Sequence, residues 1–231
     1  MTDVWFDALI NYISACGYPR INASWPADVH IIGKDILRHH AVFWPIILKA
    51  LGLEPPKLVF AHGWWIQDKA KMSKSLGNVV DPADVIAEFG VDGYRYFLLR
   101  EVPFGLDGTY SREAVMLRYN TDLANDLGNL FYRTLTMMEK YHGGRIRAFG
   151  ARGVSNPVRE RAKGLAARMD GPMSRLAFGD AAAEVWALID TANKFIEESA
   201  PWKLAKEKKD AELLGVTGSL CEALRIIAQG L

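Results

Sequence analysis

Cysteine is nearly absent. Cys16 and Cys221 are the two in 231 residues, too few and too far apart for a disulfide framework or a Cys/His metal spacing. That usage fits a reducing cytoplasm, the expected location. An excess of one charge is lacking too: 28 Lys and Arg against 27 Asp and Glu leave a formal +1. A bulk polycation is excluded, so any contact with RNA must come from local patches. No run reaches the roughly twenty apolar residues that span a bilayer. The opening Met1-Thr2-Asp3-Val4 has no basic lead and no apolar run, so neither membrane nor export is expected. No repeat of fixed period is visible. What is present, 50% hydrophobic and 24% charged residues, is enough for one large domain or two small ones.

Val4-Trp5-Phe6 reads as a strand end feeding a helix from Asp7, with Leu9, Ile10, Tyr12 and Ile13 on its face and Gly17 and Pro19 near its stop. Val29 to Gly33 reads as a buried strand, Lys34 to Leu51 as a helix, and Leu58 to Gly63 as a second strand. Together they make a βαβ unit with parallel pairing. Ligands of such sheets bind outside the carboxyl ends of the strands, where Gly33, Lys34, Asp35 and Gly63 fall. Gly-Lys-Asp is not a Walker loop, because the glycine-rich lead is missing.

Farther on, Asp81-Pro82 is an N-cap followed by proline at the first helical position, with Gly90 as a stop. A short helix follows from Asp92 to Arg100, Asp107-Gly108 reads as a turn, and Ser111 caps a helix toward Tyr119. Leu123, Leu127, Leu130, Phe131, Leu135 and Met138 give the period of a long amphipathic helix ended by Gly143-Gly144. Further helical stretches near 157–169, 178–199, 201–209 and 211–229 complete a helix bundle.

Between these halves lies Lys71-Met72-Ser73-Lys74-Ser75. Two compact, hydrated ammonium groups on a short loop of small residues suit a mobile clamp for phosphates. Spacing alone also fits a solvated basic turn. The pentapeptide itself resembles the second signature of class I aminoacyl-tRNA synthetases. The order of parts over nearly the whole chain is similar to the methionyl-tRNA synthetase family.

That resemblance implies an α/β, Rossmann-like half over 1–76, a stem-contact connector over 77–118, and an all-α anticodon-binding domain over 119–231. It implies ATP-dependent formation of methionyl-adenylate and transfer to tRNA(Met), with ATP and Mg2+ as cofactors and no zinc site in this chain. Lys71 and Lys74 take the catalytic role. Gly33, Asp35, Lys71, Met72, Ser73, Lys74 and Ser75 bind ATP. Trp5, Ala8, Leu9, Tyr12, Ile36 and His40 surround methionine, whose polarizable thioether suits an aromatic-lined pocket. Asn129, Arg133 and Trp202 read the anticodon, by base-edge hydrogen bonds and stacking.

Two positions depart from the family pattern. His39 stands where phenylalanine is usual, bearing on methionine selectivity. Lys69 replaces a usual glycine after Asp68, at a cost of about 1 kcal/mol if positive φ is needed there. The His-x-Gly-His signature is missing, since His30 is followed by Ile-Ile-Gly-Lys. The expectation is therefore a segment without the first half of the catalytic domain, inactive alone. The alternatives are a non-catalytic module that binds tRNA through 119–231, or a class I synthetase for another amino acid.

Overall fold

Two helices carry the first core. On α1 (Val4–Ala15), Leu9 and Ile13 are four apart and share a face. Both are buried with Trp44 and Leu48, the matching pair on α2 (Trp44–Ala50). Each such aliphatic side chain contributes roughly 1.5–3 kcal/mol. Val4-Trp5-Phe6 is the first turn of α1, not the expected strand end. Trp5 stands four before Leu9, so the apolar run extends the helical face by a turn instead of alternating across a sheet.

The computed structural model describes residues 4–67, 70–72, 79–103, 105–145 and 156–231. The described residues of 1–78 and 105–109 form one compact unit, and those of 79–104 and 110–231 form a second.

In the first unit, β1 (Val29–Gly33) and β2 (Leu58–His62) pair in parallel, with Val29 opposite Leu58 and Gly33 opposite His62. The βαβ reading holds. β1 is buried on one side only: His30 and Ile32 are inside, while Ile31 is 59% exposed. The crossover opens with a 3-10 turn at Lys34–Ile36 and passes through wide π-type turns at His39–Phe43 before α2. Pro45 accounts for the widening, since it has no N–H to donate and its ring would collide with the carbonyl four residues back.

A small second sheet was not foreseen. β3 (Trp65–Gln67) runs antiparallel to β4 (Ala70–Lys71) and parallel to β5 (Gly108–Thr109). Asp107-Gly108 therefore leads into a strand. Gly63 permits the approach of this segment, because a Cβ there would lie 1.9 Å from the Leu106 carbonyl oxygen.

The second unit is helical. α3 (Pro82–Arg100) is capped by the Asp81 carboxylate, which accepts from the Ala83 N–H at 2.8 Å. It kinks at Gly90, whose φ of 76° costs an L side chain strain. The Ser111 hydroxyl accepts from the Ala114 N–H at 3.0 Å and starts α4 (Arg112–Arg118). α4 continues through wide turns at Tyr119–Gly128 into α5 (Asn129–His142). The stretch expected as one helix over 157–169 is two, α6 (Pro157–Ala162) and α7 (Leu165–Ser174), divided at left-handed Gly164. Next come α8 (Phe178–Ser199), α9 (Pro201–Lys206) and α10 (Asp210–Gly230). α8 is the central member: Val185, Leu188, Ile189, Ala192 and Ile196 are buried against Leu130 of α5 and Val216, Leu220, Ala223 and Ile227 of α10.

Candidate functional site

α1 and the turns after β1 bring four of the expected residues together. The Tyr12 hydroxyl lies 2.9 Å from Nε2 of His40, whose Nδ1 lies 3.0 Å from the Ile36 carbonyl oxygen. A carbonyl only accepts, so Nδ1 donates; with Nε2 unprotonated, the Tyr12 hydroxyl donates to it. His40 is 1% exposed, and its ring orientation is fixed from both ends. Trp5 meets the edge of His40 at 6.1 Å between ring centroids. Ile36 joins this group through its backbone. Leu9 lies in the core below, and Ala8 is exposed on the same helix.

Sequence reasoning missed the second layer of this cluster. His30, inside β1, lies 4.3 Å from the Tyr12 ring and 6.0 Å from His40. Trp44 and Trp25 close the far side, each 5.9 Å from its next ring. The inward alternation of β1 could have found His30. Trp25 could not have been found, because its neighbours are far away in sequence. Burial, then the neighbouring His40, pushes the His30 pKa down, and burial pushes the Tyr12 phenol up.

At the carboxyl ends of the paired strands, Gly33 lies beside His62. A Cβ on Gly33 would stand 2.7 Å from Oδ1 of Asp35, so glycine is what lets that carboxylate fold back over the strand end. Lys34 donates to both oxygens of Asp107, at 2.5 and 2.7 Å, and its ammonium lies 4.1 Å from the centre of the Trp64 ring. Asp107 also accepts from the Trp64 N–H at 2.8 Å. These bonds, that to Lys34 first, hold its carboxyl below the usual carboxylate range. Asp107 thus joins the two strand ends, a role with no local signal in the sequence.

Of the signature pentapeptide, Lys71 and Met72 are described, at the small second sheet. Lys71 pairs with Ile66 in the β3–β4 ladder, and the Met72 N–H donates to the Trp65 carbonyl at 3.4 Å. β3 starts three residues after β2 ends. Chain geometry therefore keeps the Lys71 backbone within about 20 Å of His62. Ser73, Lys74 and Ser75, like Lys69, lie outside the described residues.

In the helical unit, Asn129 opens α5 and is exposed, while Arg133 pairs with Glu197 of α8 at 2.7 Å. Trp202, 44% exposed, stands in the first turn of α9 behind left-handed Ala200 and Pro201. Phe131, Tyr132 and Leu135 are exposed on α5 as well. In the same unit a polar network ties α3, α4 and the turns after it: the Tyr96 hydroxyl donates to Asp122 at 2.7 Å, and Arg118 reaches Glu101 at 2.6 Å and Asp122 at 3.4 Å. Burial first, then Asp122, raises the Tyr96 phenol pKa. Among the described residues no cluster of three His, Cys, Asp or Glu could hold a metal ion, and no helix is long and apolar enough to cross a membrane.

Residues 1–135 match the family described as tRNA synthetases class I (M). The chain belongs to the class I methionyl-tRNA synthetase family. Over 97% of its length it is 49% identical to the methionine--tRNA ligase of Caldanaerobacter subterraneus subsp. tengcongensis, of which it covers 36%. The methionine--tRNA ligase of Clostridium perfringens is also 49% identical, with the same two shares. A solved Mycobacterium tuberculosis methionyl-tRNA synthetase in complex with methionyl-adenylate superposes with a TM-score of 0.92, at 43% identity, over 98% of this chain and 46% of that one. The chain thus spans about a third of the length of these ligases, and its fold is that of a class I synthetase.

Proposed function

We propose that this chain is the clamp and anticodon-reading portion of a methionine-tRNA ligase. The whole enzyme joins the methionine carboxylate to the α-phosphate of ATP, releases pyrophosphate, and passes the methionyl group to the 3′ end of tRNA(Met). The observation that carries the reading is the Tyr12–His40 hydrogen bond beside Trp5, an aromatic cage for a thioether that also rests on His30 of β1. In that reading Trp5, Ala8, Leu9, Tyr12, Ile36 and His40 enclose methionine. Gly33 and Asp35 meet the ATP ribose and base. Lys71 and Lys74, with Met72, Ser73 and Ser75, close over the phosphates, where positive charge is most useful as pyrophosphate leaves. Lys34 is already committed to Asp107, which leaves this task to the loop. Mg2+ enters with the nucleotide, neutralising its phosphates; no described cluster of this chain is assigned to it.

Residues 1–76 form the second half of the catalytic domain, 77–118 the stem-contact connector and 119–231 the anticodon-binding domain. There Trp202 stacks on a base while Asn129 and Arg133 bond base edges. The cytoplasm is the setting. The test is methionine-dependent ATP–pyrophosphate exchange in two preparations: the chain alone, and a fusion in which it replaces the homologous 36% of the Caldanaerobacter ligase. Exchange is expected from the fusion only. Exchange by the chain alone, or a fusion indifferent to methionine, would overturn the reading; anticodon-dependent tRNA binding with no exchange from either would favour a non-catalytic module.

A further inference from the structure

His39 stands beside the cage but is not used by it. Its imidazole stacks on the Trp5 indole, with ring centroids 4.6 Å apart and planes 27° from parallel, and meets Phe43 edge-on at 5.8 Å. Its Nδ1 is buried and has no hydrogen-bond partner among the described residues. His40, its neighbour in sequence, has both ring nitrogens satisfied. A buried polar atom left unpaired in a native fold is destabilising. The rings on either side, one stacked and one edge-on, leave Nδ1 able to bond a molecule that enters the cluster.

We propose that His39 is a specificity-determining residue. Its Nδ1–H donates to an acceptor on the side chain of the bound amino acid, so the site takes amino acids with an oxygen acceptor at the position of the methionine sulfur. This rests on the reading of the cage as the methionine pocket. A thioether sulfur is a weak acceptor and gains little from the donor, whereas a sulfoxide oxygen at that position gains a full hydrogen bond. The imidazole can place its proton on either nitrogen, so supplying Nδ1–H requires no change of charge.

The probe is methionine sulfoxide, and the readout is the ratio of its kcat/KM to that of methionine in pyrophosphate exchange by the fusion enzyme. His39→Phe, which keeps a stacking ring and removes the donor, should lower that ratio about tenfold. His39→Gln, whose amide N–H can donate, should retain more of it. An unchanged ratio in His39→Phe overturns the proposal while leaving the methionine pocket intact. An unmodified fusion that activates no amino acid refutes the pocket and takes this proposal with it. A second measurement does not depend on a folded variant: ring 15N resonances of the unmodified fusion enzyme. Methionine sulfoxide should move the Nδ1 signal of His39, and norleucine, without an acceptor, should not; no difference between the two overturns the proposal.

Discussion

The two units bury apolar surface in different ways. In the helical unit α8 is surrounded, and Leu188, Ile189, Ala192 and Ile196 are each 0% exposed. In the first unit full burial is confined to a few side chains around Leu9, Ile13, Trp44 and Leu48, while Val4, Ile31 and Ile46 are 77%, 59% and 61% exposed. The space beside that small core is filled by imidazoles, indoles and a phenol, which pack less uniformly than aliphatic groups but can recognise a ligand. Apolar burial is concentrated in the bundle, and packed aromatic and imidazole rings in the thinner unit.

The largest effect that would sharpen this contrast is catalytic. Lys74→Ala in the fusion enzyme should lower the turnover of adenylate formation by roughly 10²–10³-fold with a much smaller change in methionine KM. Unchanged turnover would remove the clamp. Next comes packing. Leu188→Ala should cost the helical unit about 3 kcal/mol in urea unfolding, against under about 0.5 kcal/mol for Ile31→Ala on the open sheet face. Equal costs would break the comparison. Trp202→Ala should weaken tRNA(Met) binding by about 1–3 kcal/mol, read by titration, with the helical unit still folded. An unaltered affinity would detach α9 from anticodon reading.

The smallest effect is in the pH response. The folded pKa of His30 is depressed by burial and His40. It therefore contributes stability above the unfolded value of about 6.5, lost as pH falls through the folded pKa. Asp126 of the second unit is raised by burial, then by Asp190 and Asp122. Its contribution is present below the unfolded value of about 4 and lost as pH rises through the folded pKa. Acidification from about pH 7.5 to about pH 5 should thus lower amide protection, taken relative to the intrinsic exchange rate at each pH, in the first unit and not in the second. His30→Gln should flatten that response; identical responses in both units would refute it.

What the sequence made legible was local. The caps at Asp81 and Ser111, the break at Gly90 and the βαβ order are written in neighbouring residues, and the structure has them. The signature pentapeptide identified the family before any fold was known. β3, β4 and β5 were not legible, because strands of two or three residues carry no periodicity. Val4-Trp5-Phe6 misled because three apolar residues in a row fit a strand end as well as the first turn of a helix. Within the cage, Tyr12 and His40 could be named from the family pattern, while His30 and Trp25 join it only through the tertiary fold. Arg133 was expected to face RNA, and its pairing with Glu197 depends on two helices far apart in sequence.

The clasp between Lys34 and Asp107 joins positions 73 residues apart. Closing so long a loop costs more chain entropy than winding a helix turn by turn, and contacts of that span slow folding. The ends of β1 and β2 should therefore be sealed late in refolding, after α3, which lies within that span, has already formed.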